Sequence, residues 1–248
     1  MFPGHRLRRM AVLDCGTFDV GPGKRQIGIP AFLLETDLGA RLLVDTGFDA
    51  AYATDPAGTA ARDGLGDFGR LVDFTARQTV AGQLNLLGLS PADIDFLILT
   101  HGHIDHVGGL SLFAHCPILL TAVERAALRP IYWGDVRPVA WPQTTYHEIT
   151  ADTEVLPGLT VLPTPGHTPG HLSLHLALPS GREVILAADA INRESEPAEG
   201  YGDAMDPTTA ANSGARLLAL QAARSALLIY GHDPVQWTSL PKAPECLE

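Results

Sequence analysis

The feature that most constrains this chain is the hexapeptide His-Gly-His-Ile-Asp-His at residues 101–106, which holds four ligand-type side chains in six positions. It directly follows the apolar run FLILT, a pattern typical of a buried strand. Residues two apart in an extended segment point the same way, so His101 and His103 can share one ion. Asp105 and His106 begin the next turn and can face a neighbouring ion. A polar surface loop is the alternative, and the rest of the chain decides between the two.

The same arrangement occurs three more times, with His167 following VLPTP, Asp189 following VILAA and His232 following LLIYG. Strand ends on one edge of a sheet converge, so we expect all seven side chains to meet. A single zinc takes only three or four ligands, whereas two ions about 3.5–4 Å apart would use all seven. Imidazole and carboxylate without thiolate favour two divalent ions, with zinc the best fit and iron, manganese or cobalt admissible.

The patterning along the chain predicts an α+β fold, an αββα sandwich of two packed mixed sheets with outer helices. We expect a long loop with one short helix over 52–75, a helix starting at Leu110, and a hairpin turning at Ser180-Gly181. No linker separates the halves, so residues 1–248 are expected to form a single domain. The predicted strands are RMAVLDCG, PAFLLET, RLLVDTG, IDFLILT, PILLTA, LTVLPTPG, the two arms of the hairpin, and SALLIYGHD; the other predicted helices are ARQTVAGQLNLLGL, VERAALR and TTAANSGARLLALQAA.

Composition excludes several classes of protein. The formal net charge of −11 opposes binding to a phosphate backbone, so we expect no nucleic-acid partner. The chain has no long apolar run, and its first residues lack the apolar region of a signal peptide, so we expect a soluble cytoplasmic protein without a membrane partner. The three cysteines, Cys15, Cys116 and Cys246, are too widely spaced to suggest a disulfide framework.

The blocks HGHIDH, VDTG, PTPGHTPGH, AADA and YGHD, in this order over residues 27–238, resemble the metallo-β-lactamase superfamily. Within it, the chain is most similar to N-acyl homoserine lactonases and related γ-butyrolactone hydrolases. The resemblance implies that Asp45 and His171 orient the metal ligands, although an ordinary hydrogen bond at a strand end explains each equally well. The implied ligands are His101, His103 and His167 for the first metal, Asp105, His106 and His232 for the second, and Asp189 between them.

The resemblance also implies a dinuclear hydrolase that opens a small-molecule lactone by attack of a hydroxide held between the metals, with Asp105 protonating the leaving oxygen. A hydrolase of thioesters, phosphoesters or β-lactams on the same metals remains an alternative. An iron redox enzyme and a non-catalytic metal-binding module are weaker alternatives, because the full set of ligands is present.

One position departs from the lactonase pattern. A tyrosine that binds the substrate carbonyl normally stands three residues after the bridging aspartate, where this chain has Asn192. An amide can donate a hydrogen bond there, so Asn192 is a candidate substrate-binding residue, and Tyr201 is a second candidate. The segment with Tyr132, Trp133 and Trp141 is either an apolar wall for an acyl chain or part of the core.

Overall fold

Two mixed β-sheets form the framework of the chain in the computed structural model, which describes residues 2–21 and 25–248. In that part of the chain the first sheet has seven strands, in the spatial order 4-1-2-3-5-6-7, and the second has five, in the order 12-11-10-9-8. The strands of the first sheet are β1 (Leu7–Val20), β2 (Arg25–Thr36), β3 (Arg41–Val44), β4 (Gly69–Val72), β5 (Phe96–Ile98), β6 (Ile118–Thr121) and β7 (Tyr146–Ile149). Those of the second are β8 (Thr153–Leu156), β9 (Leu159–Pro163), β10 (Leu172–Ala177), β11 (Glu183–Ala188) and β12 (Leu227–Tyr230).

Short helices connect the strands, and one long helix precedes the last strand. The helices are α1 (Pro56–Asp63), α2 (Val80–Leu86), α3 (Ile104–Val107), α4 (Ala122–Arg125), α5 (Glu196–Glu199), α6 (Pro207–Arg224) and α7 (Pro234–Ser239), with 3₁₀ turns at Ala50–Ala53, Pro91–Asp93 and Leu110–Phe113. Among the described residues, no helix combines the length and the apolar character that a membrane crossing requires.

Three layers of buried apolar side chains separate the helices and sheets. The central layer packs Val12 and Phe32 of the first sheet with Leu174 of the second. On the outer face of the first sheet, Leu84 of α2 belongs to a second cluster, and Leu217 of α6 belongs to a third on the outer face of the second sheet. The predicted αββα sandwich is therefore confirmed.

The longest helix, α6, shows how local sequence sets the element boundaries. It begins at Pro207, whose missing N–H is not needed in the first turn, and the side chain of Asp206 accepts a hydrogen bond from the N–H of Thr209. It ends at Arg224, and Ser225 directly after it adopts a left-handed conformation. Gly214 lies on its buried face, where a Cβ atom would come within 1.9 Å of the Tyr201 hydroxyl.

Several predicted elements differ from the structure. The segment 52–75 contains the expected short helix, α1, but also the edge strand β4, which had not been predicted. The segment after Gly109 forms a single 3₁₀ turn, and β7 and β8 had not been predicted because their few residues show no clear alternation. The hairpin at Ser180-Gly181 is present, and Gly181 takes the positive φ that the turn requires.

Candidate metal centre

The seven predicted ligand residues meet at one end of the sandwich. His101 to His106 follow β5 of the first sheet, whereas His167, Asp189 and His232 follow β9, β11 and β12 of the second. These three strands of the second sheet run in the same direction, because each neighbour of β10 is antiparallel to it and β12 is parallel to β11. The expectation that all seven come from one sheet edge was therefore wrong, since both sheets contribute.

Three imidazoles form the first group of potential ligands. The Nε2 atom of His101 lies 3.1 Å from Nδ1 of His103, which lies 2.9 Å from Nε2 of His167. All three atoms lie within 4.8 Å of one another. Three imidazole nitrogens around one point form a donor set that a divalent cation accepts.

The second group combines two imidazoles with a carboxylate. Nε2 of His232 lies 3.3 Å from Oδ2 of Asp105, and Nε2 of His106 lies 3.6 Å from the same oxygen. Asp105 and His106 belong to α3, which begins inside the hexapeptide. The rings of His101 and His106 lie 4.0 Å apart between centroids, so the two groups of ligands adjoin each other.

Asp189 lies between the two groups. Its Oδ1 atom is 3.3 Å from Nε2 of His106, and its Oδ2 atom is 3.2 Å from Nε2 of His167 and 3.3 Å from Nε2 of His232. The carboxylate thus contacts histidines of both groups at once, which is the position that a bridging ligand requires.

Hydrogen bonds on the far side of the ring fix the orientation of three of the imidazoles. Nδ1 of His106 donates to Asp45 over 2.8 Å, and Nδ1 of His232 donates to the carbonyl of Gly28 over 2.9 Å. Thr100 donates to the same Asp45 carboxylate, so its hydroxyl oxygen is available to accept from Nδ1 of His101. In each case Nε2 is left as the atom that faces the site, an arrangement typical of metal-binding histidines.

His171 lies beside the ligands and orients Asp189. The backbone N–H of Asp189 donates to Nε2 of His171 over 3.1 Å, which requires that nitrogen to be the acceptor. Nδ1 then carries the hydrogen and donates to the Thr164 hydroxyl 2.9 Å away. Both nitrogens of His171 are therefore engaged with the protein, and the ring supports the site without facing it.

The charges of the site are strongly coupled. Burial lowers the pKa of His103 to about 4 and that of His171 to about 3. Burial also opposes a charge on His232, but the carboxylates of Asp189 and Asp105 outweigh it and raise its pKa to about 9. For Asp189 the neighbouring imidazoles overcome burial and hold its pKa well below the usual range. The site thus holds an ionised carboxylate among buried imidazoles, and this negative charge favours a cation within the cluster.

Buried atoms without hydrogen-bond partners give an independent test of whether metal ions fit. Among the described side chains, Nε2 of His106 and Oδ1 of Asp189 are buried, face the cluster and make no hydrogen bond. Leaving such groups unpaired is costly, so two of them side by side indicate a missing polar partner. The nitrogen and oxygen donors are of the type that zinc and similar divalent ions bind, so these residues fit a metal pair.

Residues of both groups, together with Asp189, line one end of a cavity of about 230 Å³, which we call its floor: His103, Asp105, His167, Asp189 and His232. One wall is aromatic: the Phe68 and Trp133 rings lie 4.1 Å apart between centroids, and the Phe18 and Phe48 rings stack at 5.5 Å. The remaining lining residues are Val20, Ile27, Leu65 and Ile104 on the apolar side, Arg25, Arg193 and Asp203 at the charged side, and Asn192 beside the floor.

The three aromatic residues of the 130–142 segment have different environments. Trp133 lines the cavity, as expected for an apolar wall. Tyr132 is fully buried and donates to Asp63 over 2.8 Å, and Trp141 is also buried. Only one of the three therefore contributes to the wall, and the other two belong to the core.

The two candidate substrate-binding residues lie in positions that the sequence did not reveal. Asn192 lines the cavity, but its Nδ2 donates to Glu196 over 3.3 Å, and its Oδ1 is buried near Gly231. Its backbone N–H also donates to Glu196, and its carbonyl accepts from the N–H of His232 over 2.8 Å. Tyr201 is not among the residues that line this cavity in the described chain, because its ring packs against Gly214 of α6.

Sequence reasoning did not identify three residues that support the site: Glu124, Glu196 and Gly28. Their contacts join segments far apart in the chain, and the hydrogen bond from His232 to Gly28 spans 204 positions. The only local signal was the spacing Thr121-x-x-Glu124, which is typical of a helix N-terminus.

Comparison with known proteins gives a consistent result. The sequence model of the metallo-β-lactamase superfamily matches residues 26–232. N-acyl homoserine lactonase AiiA from Bacillus thuringiensis subsp. kurstaki is 33% identical over 237 residues, covering 90% of this chain and 89% of that protein. N-acyl homoserine lactonase AttM from Rhizobium radiobacter is 28% identical over 244 residues, covering 89% and 87%.

Two solved structures extend the comparison to three dimensions. An N-acyl homoserine lactone hydrolase with the product N-hexanoyl-L-homoserine at its catalytic metal center superposes with a TM-score of 0.85 at 26% identity, covering 98% of this chain and all of that one. AidC, a dizinc quorum-quenching lactonase, superposes with a TM-score of 0.66 at 17% identity over 98% and 96%, which shows the shared fold.

Proposed function

The chain belongs to the metallo-β-lactamase superfamily, and on that basis we propose that it is a lactonase that opens N-acyl homoserine lactones or related γ-lactones. It is a metal-dependent hydrolase with a place for two divalent ions. The relatives that support the lactone substrate are N-acyl homoserine lactonases similar to this chain over nine tenths of its length. The chemistry is thus hydrolysis of an ester bond within a ring.

The observation that carries this proposal is the position of the His and Asp cluster at the floor of a cavity with an aromatic wall. A lactone ring placed over Asp105 and Asp189 has room to extend an apolar arm toward Phe68 and Trp133. An acyl homoserine lactone has this shape, with a polar ring at one end and an alkyl chain at the other. The cavity therefore supports an amphiphilic lactone as the substrate.

We assign the metal ligands from the two groups of side chains. His101, His103 and His167 would hold one ion, Asp105, His106 and His232 the other, and Asp189 would contact both. Zinc is the ion we propose, because the donors are imidazole and carboxylate and neither group contains a thiolate.

Bound metals would supply a water of lowered pKa as the nucleophile and would polarise the lactone carbonyl. The chain itself orients these groups and handles the proton. Asp105 lines the cavity, where its carboxylate would accept the proton that the attacking water releases and pass it to the ring oxygen as the ester bond breaks. The apolar wall excludes water from one side of the substrate and holds its acyl arm.

Asn192 takes a different part in the proposed site from the tyrosine of the lactonase pattern. Its amide is held by Glu196, and its carbonyl accepts from the N–H of His232. We therefore propose that Asn192 joins the loop after Asp189 to the loop of His232, and that the substrate carbonyl does not depend on its amide. Tyr201 lies outside the proposed site.

A turnover screen on zinc-loaded protein tests the proposal. Lactones of graded ring size and acyl length would be compared with a thioester, a phosphotriester and a β-lactam, with ring opening followed by proton release. We expect five-membered N-acyl lactones to have the highest kcat/KM. Each added CH₂ that reaches the apolar wall gains up to ~0.8 kcal/mol, or about fourfold. Hydrolysis of another class without opening of any lactone would refute the proposal.

A further inference from the structure

Glu124 carries a buried carboxylate that is not among the proposed ligands but lies directly behind them. Its side chain belongs to α4, and only 3% of the residue is exposed. Burying an ionisable group requires several hydrogen bonds to compensate for lost hydration. Glu124 has three such bonds, and all of them come from the two loops that present the first group of histidines.

The contacts of Glu124 divide between its two oxygens. Oε1 accepts from the backbone N–H of Gly102 over 2.8 Å, and Gly102 stands between His101 and His103 in the sequence. Oε2 accepts from the Thr168 hydroxyl over 2.8 Å and from the N–H of Gly170 over 3.1 Å. One carboxylate therefore joins the loop after β5 of the first sheet to the loop after β9 of the second.

Glu124 is itself held firmly in this position. The Thr121 hydroxyl accepts from the N–H of Glu124 over 3.1 Å and donates to the carbonyl of Gly170 over 2.6 Å. A Cβ atom at Gly170 would lie 2.2 Å from the nitrogen of Glu124, so α4 approaches the loop as closely as the backbones allow. The distance between α4 and the loop after β9 is thus set by direct contact.

We propose that Glu124 is a positioning residue that fixes His101 and His103 relative to His167 and thereby sets the affinity of the metal position formed by these three. This inference rests on the proposed dinuclear site. The effect is confined to one of the two positions, because the histidines of the other group have separate supports. His106 is oriented by Asp45, and His232 by the carbonyl of Gly28.

The variant Glu124→Gln tests this with almost no change in shape. Glutamine has one carbonyl oxygen and one NH₂ group where glutamate has two acceptors. In either orientation of the amide, its NH₂ group faces a backbone N–H, that of Gly102 or that of Gly170. An NH₂ group cannot accept from an N–H, so the hydrogen bond to that glycine is lost. Turning the oxygen toward Thr168 and Gly170 keeps two of the three bonds, so we expect the contact to Gly102 to be lost.

The measurement is zinc binding by competition with a chromophoric chelator, together with the number of zinc ions per chain. We expect wild type to bind two ions. Glu124→Gln should bind one with unchanged affinity and the other about 10–100-fold more weakly, the range found when groups that orient metal ligands are removed. Thr168→Val removes one of the three bonds and keeps the backbone contacts, so it should weaken the same ion by a smaller factor.

Leu176→Ala is the matched control for general loss of stability. Leu176 is buried in the layer between the sheets and does not contact the site, so this variant should lower the Tm while both zinc affinities stay at the wild-type values. If Glu124→Gln binds both ions with wild-type affinity, the positioning role is overturned. If that variant does not fold, wild-type affinity for both ions in Thr168→Val overturns it instead. A wild-type protein that binds only one ion would instead overturn the dinuclear site itself.

Discussion

At the scale of single residues, the site depends on which nitrogen of each histidine is free. Burial would lower the pKa of His106, but Asp105, Asp189 and Asp45 together raise it well above the usual value. Asp45 also accepts the Nδ1 hydrogen of this ring, so Nε2 is the atom turned toward the site. The orientation of the His106 ring is thus determined by a partner on its far side, and removing that partner should affect metal binding more than folding.

Asn192 gives the clearest test at this scale. In Asn192→Ala the backbone contacts to Glu196 and His232 are kept, and only the amide is lost. We expect kcat on the best lactone to change by less than about twofold, or roughly 0.4 kcal/mol. Stability should fall by about 1.5–3 kcal/mol, because a hydrogen bond to a buried carboxylate is removed.

Steady-state kinetics and thermal unfolding of the same preparation separate the two effects. If the amide donates to the transition state, its loss would raise the activation free energy of the kcat step by about 2.7–4 kcal/mol, with little change in Tm. That result would mean that the amide contacts the substrate after all. Glu196→Gln serves as the matched variant, since it disturbs the same pair from the other side without changing a cavity residue.

The residues that the sequence could identify are those with recognisable side-chain chemistry. His101, His103 and Asp189 stand out by type and by their place after a strand, and they do meet in space. The roles of Glu124 and Glu196 could not be predicted, because a buried carboxylate looks like a surface one until its partners are known. Glu124 reaches partners 22 and 44 positions away.

At the scale of elements, the contact between β2 and α7 positions the last ligand. The indole of Trp237 on α7 lies against Gly28 of β2, where a Cβ atom would come within 2.0 Å of the ring. The carbonyl of this same glycine accepts the Nδ1 hydrogen of His232. The absence of a side chain at Gly28 therefore lets helix, strand and ligand pack together.

Gly28→Ala should displace the indole and weaken the metal position that includes His232. We expect a loss of about 1–3 kcal/mol in stability, typical of overpacking, and a lower affinity for one zinc ion. In a Trp237→Ala background the added methyl group has room, so the same substitution should have little further effect. Equal losses in both backgrounds, measured by denaturant unfolding and zinc competition, would show that the clash with Trp237 is not the cause.

The elements differ in how well they could be predicted. β5, β11 and β12 are continuous apolar runs, and their ends located the ligands correctly. The segment 52–75 was taken as mostly loop because its many glycine, aspartate and alanine residues give no hydrophobic period. It nevertheless contributes Leu65 and Phe68 to the cavity, through packing that only the folded chain reveals.

At the scale of the whole molecule, the candidate metal centre joins the two sheets. The hexapeptide follows a strand of the first sheet, and the other ligands follow strands of the second. Metal ions held by these residues would link the two sheets at one end of the sandwich. Elsewhere the sheets are joined by the apolar side chains of the central layer. Ions that bind only the folded state stabilise it by mass action, so the free energy of unfolding of the sandwich should rise with metal binding.

The central claim is that two ions are held around Asp189, and the most direct test is elemental analysis of wild type and Asp189→Asn with lactone turnover measured on the same samples. Asparagine is nearly isosteric but lacks the negative charge that attracts both cations. We predict close to two zinc ions per chain in wild type. The variant should lose one of them, with a fall in turnover of at least ~10–100-fold. Two ions and wild-type turnover in Asp189→Asn, or one ion with full activity in the wild type, would contradict the account.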